Sequence, residues 1–416
     1  PPQAAAGHTL AQQVPAREPY SDAYRPPDAP PRRKLVPIGD PYEPLGIRAG
    51  AFLLRPSIDV TRAYDTNPGR TSTGQPSAYT VVEPALRVRS QWSVHEAGAD
   101  IRGTYSWFDS QSSLNRPMLD SKAFARLDAS RDTAFDVEGR YFLSTDYPGS
   151  PNVPAGVAKL PIFHTYGTTL GLAQRFNRFE IAARATVDRT EYQDSLLTDG
   201  TTSSNRDRAF NAYGGTLRGS YEVFPGVRPF VEVGADTRKH DLQFDRNGFQ
   251  RDSNGLTPRV GTTFEISRIL TGEISAGYLI RKYEDPNLEQ LRGVVFDASL
   301  VYAMNGLTTV TLTGSSRADE IVVAGTSGVL RRDVGVQVDH AFRRWLIGTL
   351  RAGYGFDDYI GSIRADSRMS LGTAITYKLN REVALKGEYR YDQLRSNIEG
   401  VDYSANVFLI ALRLQR

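Results

Sequence analysis

Cysteine is absent from the 416 residues, which removes disulfides, thiolate catalysis and cysteine-ligated metal together. Also missing is any run approaching the ~18–20 apolar residues that a membrane-spanning helix needs, so a helical membrane protein is excluded. Charge of one sign is missing too: 50 lysines and arginines nearly balance 47 aspartates and glutamates. Such a balance creates no field that would draw in nucleic acid, and no nucleic-acid partner is expected. Histidine is scarce, at five residues, which leaves few starting points for acid–base catalysis. His240-Asp241 is the best placed pair, but neighbours of this kind arise by chance in polar loops. No enzymatic activity, cofactor or metal is expected. No charged lead followed by an apolar stretch opens the chain, and Ala4-Ala5-Ala6-Gly7 reads as flexible segment.

What the chain does have is alternation. From Ile363 to Asp392, Ile363, Ala365, Met369, Leu371, Ile375 and Tyr377 share one side of an extended chain, and Arg364, Asp366, Arg368, Ser370 and Thr376 share the other. After a break at Leu379-Asn380-Arg381 the pattern restarts, with Leu385, Tyr389 and Tyr391 against Lys386, Glu388, Arg390 and Asp392. A soluble sheet would turn the apolar side to a core, whereas a membrane barrel would turn it to lipid and the charges to a wet lumen. The rest of the chain decides between them.

The period of two persists from Ile47 to the C-terminus, and its breaks are of two kinds. Eight are short, such as Phe224-Pro225-Gly226, Ser267-Arg268 and Met304-Asn305-Gly306. Nine are long and rich in glycine, serine and aspartate, among them "STDYPGSPNVPAGVAKLP", "RADEIVVAGTSGV" and "DDYIGS". Long and short alternate, which predicts about 18 antiparallel strands with both ends of the barrel on the short-turn side. Soluble strands average roughly 5 to 6 residues, whereas these run to roughly 10 to 14, as tilted spans of a ~25 Å apolar band require. Aromatics form two groups: Trp92, Phe179, Trp345 and Tyr377 beside short turns, and Trp107, Tyr192 and Tyr391 beside long loops. Two girdles fit two membrane interfaces. The expected fold is therefore all-β: a transmembrane, antiparallel up-and-down β-barrel over residues 47–416, preceded by an irregular, proline-rich arm over residues 1–46.

The stretch Pro37 to Arg70, "PIGDPYEPLGIRAGAFLLRPSIDVTRAYDTNPGR", has a proline-rich lead, a Gly-x-Phe step, a first strand with Pro-Ser-Ile-Asp and a Tyr-Asp-x-Asn exit. In these features it resembles the outer-membrane β-barrel family called putative β-barrel porin 2, found in Gram-negative bacteria. The resemblance implies a channel-like protein of the outer membrane, and some members are associated with exopolysaccharide export. Outer-membrane strands commonly finish on an aromatic residue, whereas this chain finishes "SANVFLIALRLQR".

A barrel of about 18 strands is too wide for side chains to fill and leaves an aqueous channel unless something plugs it. Alternation assigns to the lumen Arg87, Arg89, Arg102, Arg140, Arg184 and Arg218, and further on Arg259, Arg281, Arg351, Arg364, Arg368 and Arg390. Mixed with them are Asp100, Glu138, Asp188, Glu232, Glu265, Asp366 and Glu388. Arginine suits planar, multi-donor contacts to carboxylates or sugar hydroxyls. Cross-strand pairs that stiffen the wall and keep it wet are the simpler reading, and mixed sign argues against strong ion selectivity. The expected function is a porin-like channel for polar solute or polymer, with polysaccharide export as the specific possibility. The alternative is a structural barrel whose arm contacts peptidoglycan or a periplasmic partner. Either way the chain sits in outer-membrane lipid with both termini periplasmic.

Overall fold

The computed structural model describes residues 42–153, 156–266 and 269–416. Alternating side chains carry each barrel strand over 12 to 16 residues, longer than the sequence pattern alone marks out. The first nine are β1 (Phe52–Asp65), β2 (Ser77–Ser90), β3 (Glu96–Phe108), β4 (Arg116–Asp128), β5 (Thr133–Thr145), β6 (Ile162–Phe176), β7 (Phe179–Tyr192), β8 (Phe210–Tyr221) and β9 (Val227–His240). The second nine are β10 (Ser253–Ile266), β11 (Leu270–Tyr283), β12 (Leu291–Ala303), β13 (Thr308–Asp319), β14 (Gly328–Arg343), β15 (Leu346–Ile360), β16 (Ala365–Lys378), β17 (Val383–Ser396) and β18 (Tyr403–Gln415). Each pairs antiparallel with its neighbours in sequence, and β1 pairs with β18 from Ser57↔Gln415 to Asp65↔Val407. The sheet closes on itself as an 18-stranded up-and-down barrel, which leaves no row of unsatisfied backbone groups along an open edge.

Burial follows the alternation with its sense inverted relative to a soluble protein. Leu350, Ile375, Ile410 and Val260 are each about 60% exposed or more, on strands whose charged residues are buried or half-buried. An apolar belt of this extent is a lipid-facing surface, because soluble monomers rarely expose contiguous apolar patches above a few hundred Å².

A three-residue strand, Ile47–Ala49, precedes β1 and pairs with Phe52–Leu54. It occupies the part of the β1 edge that β18 does not reach, and the tight turn between them needs Gly50 at φ 59°. The sequence-predicted arm lies, up to residue 41, outside the described residues, as does the predicted turn Ser267-Arg268. One predicted long loop is corrected: "DDYIGS" is mostly strand, because Asp357 and Asp358 continue the β15 ladder opposite Asp366 and Ala365. Only residues 361–364 turn, around Gly361 at φ 85°.

Candidate functional site

Neighbouring strands in an antiparallel ladder project alternate side chains to the same side, so charges two strands apart can meet only across the concave inner face. That is how the charged set is arranged. At the short-turn end Arg89 donates to both Asp100 oxygens at 2.9 and 2.7 Å, and Arg87 reaches the same carboxylate at 3.3 Å. Arg102 lies 3.4 Å from Glu83. Arg140 on β5 holds Asp188 on β7 at 3.1 and 2.5 Å, skipping β6, while Glu138 pairs with Lys122 at 2.9 Å. Arg184 sits half-buried on the same face of β7 as Asp188.

Further round, Arg218 donates to Glu232 at 2.7 Å and to Glu273, three strands away, at 2.9 and 3.0 Å. Its guanidinium also lies 3.8 Å over the Phe230 ring. Glu265 accepts from Arg228 at 2.8 Å, Arg259 pairs with Asp297, and Arg281 pairs with Asp236. Arg351 reaches Glu388 at 3.1 Å, Arg368 joins Asp333 and Asp357 at 2.8 and 2.7 Å, and Arg390 meets Asp392 at 2.9 Å. Arg364 belongs to the 361–364 turn, where it holds Asp366 at 2.6 Å and lies 4.5 Å over Tyr359. The arginines are thus engaged in a carboxylate network around the wall, and carboxylates shared between two arginines fix the geometry of both.

At the other end the long loops turn into the barrel. Residues 146–153, which follow β5, are largely buried: Asp146 is held by both arms of Arg208 at 2.7 and 3.0 Å, and Arg208 stacks 3.8 Å over Tyr192. The Asn152 side-chain carbonyl accepts the Val322 amide at 3.1 Å, and its amide group reaches the Glu320 carbonyl at 3.5 Å. Strands β5 and β13 stand nearly opposite on an 18-strand ring, so this loop crosses the bore. Loop 241–252 joins the crossing, with Asn247 donating to the Val322 carbonyl at 2.7 Å and Arg251 to the Thr326 carbonyl at 3.0 Å. Arg251 is itself bound to Asp245 at 2.6 Å.

Glu320 anchors the meeting point. Its carboxylate accepts from Arg238 at 2.9 Å and lies 3.2 Å from His240 Nε2, while His240 Nδ1 is 3.3 Å from Asp252. Burial alone would push the Glu320 carboxyl up, but the charges and hydrogen bonds of His240 and Arg238 outweigh it and hold it far below the usual glutamate value. His240 is therefore wedged between two carboxylates as part of a structural network, and Asp241 beside it pairs with Arg189 at 2.5 Å. Among the described residues no group of acidic and histidine side chains forms a metal cluster.

The aromatic residues divide. Trp92, Trp107, Phe179, Trp345 and Tyr377 are exposed on the outer surface, with Trp92 edge-on to Phe52 at 5.5 Å and Trp345 edge-on to Tyr377 at 5.1 Å. Tyr391 is half-buried on the outward set of β17. Tyr192 is a correction: it is 8% exposed and packs inside with Phe163 and Phe210. The reason is parity, since Ile181 and Val187 face out on β7 and residue 192 falls with Asp188 and Thr190. Sequence reading missed the buried loop anchors Asp146, Asn152, Arg208, Arg238 and Glu320. "ADEIVV", with three apolar residues directly after an acid in a presumed surface loop, is the signal that could have found Glu320.

The family model that matches the sequence is described as Putative beta-barrel porin 2 and covers residues 40–416. No curated protein matches the chain. Among solved structures, the barrel is similar to the outer membrane protein OpdK from Pseudomonas aeruginosa, at 12% identity and TM-score 0.43, over 87% of this chain and 99% of that one. It is similar to OccAB4 of Acinetobacter baumannii at 11% identity and TM-score 0.44, over 87% and 98% of the two chains. A BenF-like porin from Pseudomonas fluorescens Pf-5 aligns at 12% identity and TM-score 0.44, over 88% and 99%.

Proposed function

The chain belongs to the Putative beta-barrel porin 2 family, and on that premise we propose that this porin-like outer-membrane channel passes small polar solutes through a bore narrowed at its long-loop end. The observation that carries the proposal is the crossing of residues 146–153 from β5 to the Glu320–Val322 segment. A loop tied across the opening divides the passage, which suits solutes of limited size, whereas an exported polysaccharide would need the loop to swing aside. Paired charges of both signs along the wall keep water inside without favouring one ion. By the rule that short turns are periplasmic, the two barrel termini face the periplasm and the crossing loops face outward.

Single-channel conductance in a planar bilayer tests this. Small, steady steps that rise when Asn152→Ala frees the crossing loop are expected. A silent barrel, or full conductance that oligosaccharides block and Asn152→Ala leaves unchanged, would instead support a sealed structural barrel or a polymer conduit.

A further inference from the structure

Among the described residues, the shortest ladder between neighbouring barrel strands is that of β12 and β13. β11 pairs with β12 from Leu270↔Tyr302 to Arg281↔Leu291, and β13 with β14 from Thr308↔His340 to Asp319↔Val329. Between these ladders, β12 and β13 pair only from Ala303↔Thr309 to Ala298↔Gly314. Continued in register, Phe296 would face Ser316, Val294 would face Ala318, and Arg292 would face Glu320. Instead the Phe296 amide donates to the Ser316 hydroxyl at 3.0 Å, and Arg332 Nε donates to the Val294 carbonyl at 3.2 Å. Glu320 lies inside with Arg238 and His240, and Arg238 also donates to the Ala318 carbonyl at 3.4 Å. Contacts from β9 thus draw the upper end of β13 into the bore.

The two sides of the joint consequently overlap. Ala318 and Leu330 share the parity of exposed Leu312, Val334 and Val336 and would point outward. Both are buried against Leu279, Leu291 and Val295, which share the parity of Arg281 and Asp297 and point inward. The upper ends of β13 and β14 are therefore tucked beneath the inner face of β12. Gly293 permits this, because a Cβ there would collide with a Leu330 methyl group.

We propose that this lapped joint is a lateral portal between the bore and the bilayer leaflet at the long-loop end, open to molecules with an acyl or other apolar part; the inference rests on the outer-membrane channel reading. Elsewhere, parting two strands in lipid would strand backbone groups at several kcal/mol each. Here parting frees only two backbone groups, the Phe296 amide and the Val294 carbonyl, from their side-chain partners, and opens an apolar contact that the apolar part of a passing molecule replaces. The lining suits such a molecule, since Leu279, Leu291 and Val295 form an apolar patch on the inner face of β11 and β12.

Photo-crosslinking in phosphatidylcholine vesicles tests the portal. A benzophenone amino acid is placed in turn at Leu330 and, as an independent placement on the same lip, at Ala318. Controls are Leu350 on the outer surface and Phe163 inside, beneath ladders intact on both sides. Each variant is first shown to migrate as a folded, heat-modifiable barrel. Phospholipid adducts at 350 and at 330 or 318, with none at 163, are expected. An adduct at 350 alone overturns the portal, as does labelling at 163 equal to that at 330. Absence of an adduct at 350 removes the membrane reading itself, and the portal with it.

Discussion

Two joints in the wall invite comparison. Where the distant ends of the barrel meet, β1 and β18 pair from Ser57↔Gln415 to Asp65↔Val407, and Arg413 donates to both oxygens of buried Asp59 at 2.7 and 2.6 Å. Bonding continues beyond the end of β1, with the Asn406 amide on the Thr66 hydroxyl at 2.8 Å and the Asn67 side-chain amide on the Ser404 carbonyl at 3.2 Å. Beneath it lies an apolar cluster of Ala63, Tyr79, Val81, Phe108 and residues of β18. Strands β12 and β13, joined by a four-residue turn, separate halfway up. Closeness along the chain therefore does not decide how tightly strands join. The inner-face partners do: Arg413 and Asp59 sit on the two strands they join, whereas Arg238 belongs to β9 and pulls β13 away from its neighbour.

The largest effect is expected from breaking the tight joint. Asp59→Ala breaks a buried ion pair by removing one of its partners, which costs about 3–5 kcal/mol. A urea-unfolding midpoint in lipid vesicles that matches the parent would refute the role given to this pair. Next comes Leu330→Ala, which hollows the lapped joint and is expected to lower stability by about 2–4 kcal/mol, within the range for buried leucines. Hydrogen exchange should quicken in β12 and β13 and leave β1 and β18 unchanged; equal quickening in both places would erase the contrast between the joints.

The smallest effect is expected at Glu320. Its carboxyl is held low in the folded chain, so the stability it contributes is fully present above the unfolded glutamate value of about 4.3 and is lost as pH falls through the depressed folded value. A spin label on Ala324→Cys should therefore stay constrained from pH 8 to well below 4. Glu320→Gln, at a cost of about 1–2 kcal/mol, should loosen it throughout. A label that loosens near pH 4.3 in the parent would show that Arg238 and His240 do not hold the carboxylate.

Strand number, strand polarity and the two faces were legible because a period of two survives in every span and a one-residue error moves a side chain to the opposite face. Tyr192 was misplaced by attending to its nearness to a loop and not to its parity with Asp188 and Thr190. The crossing loop was not legible. Asn152 meets residues 168 and 170 positions away, and a polar loop that bends inward has the same composition as one that stays in water. The lapped joint did leave a trace: Leu279-Ile280 and Val294-Val295 put apolar residues on both faces of consecutive strands, the mark of a strand covered on both sides.

The ladder between β1 and β18 also has a kinetic consequence. Its Asp59–Arg413 pair joins residues 354 positions apart, so the barrel cannot shut until the first and last strands are both in place, and this contact carries a high loop-closure cost. While β18 is awaited, the β1 edge is open to strand addition by another chain. The small hairpin formed by Ile47–Ala49 already covers part of that edge from within the same molecule. In the closed barrel it confines the β18 ladder to the stretch of β1 beginning at Ser57.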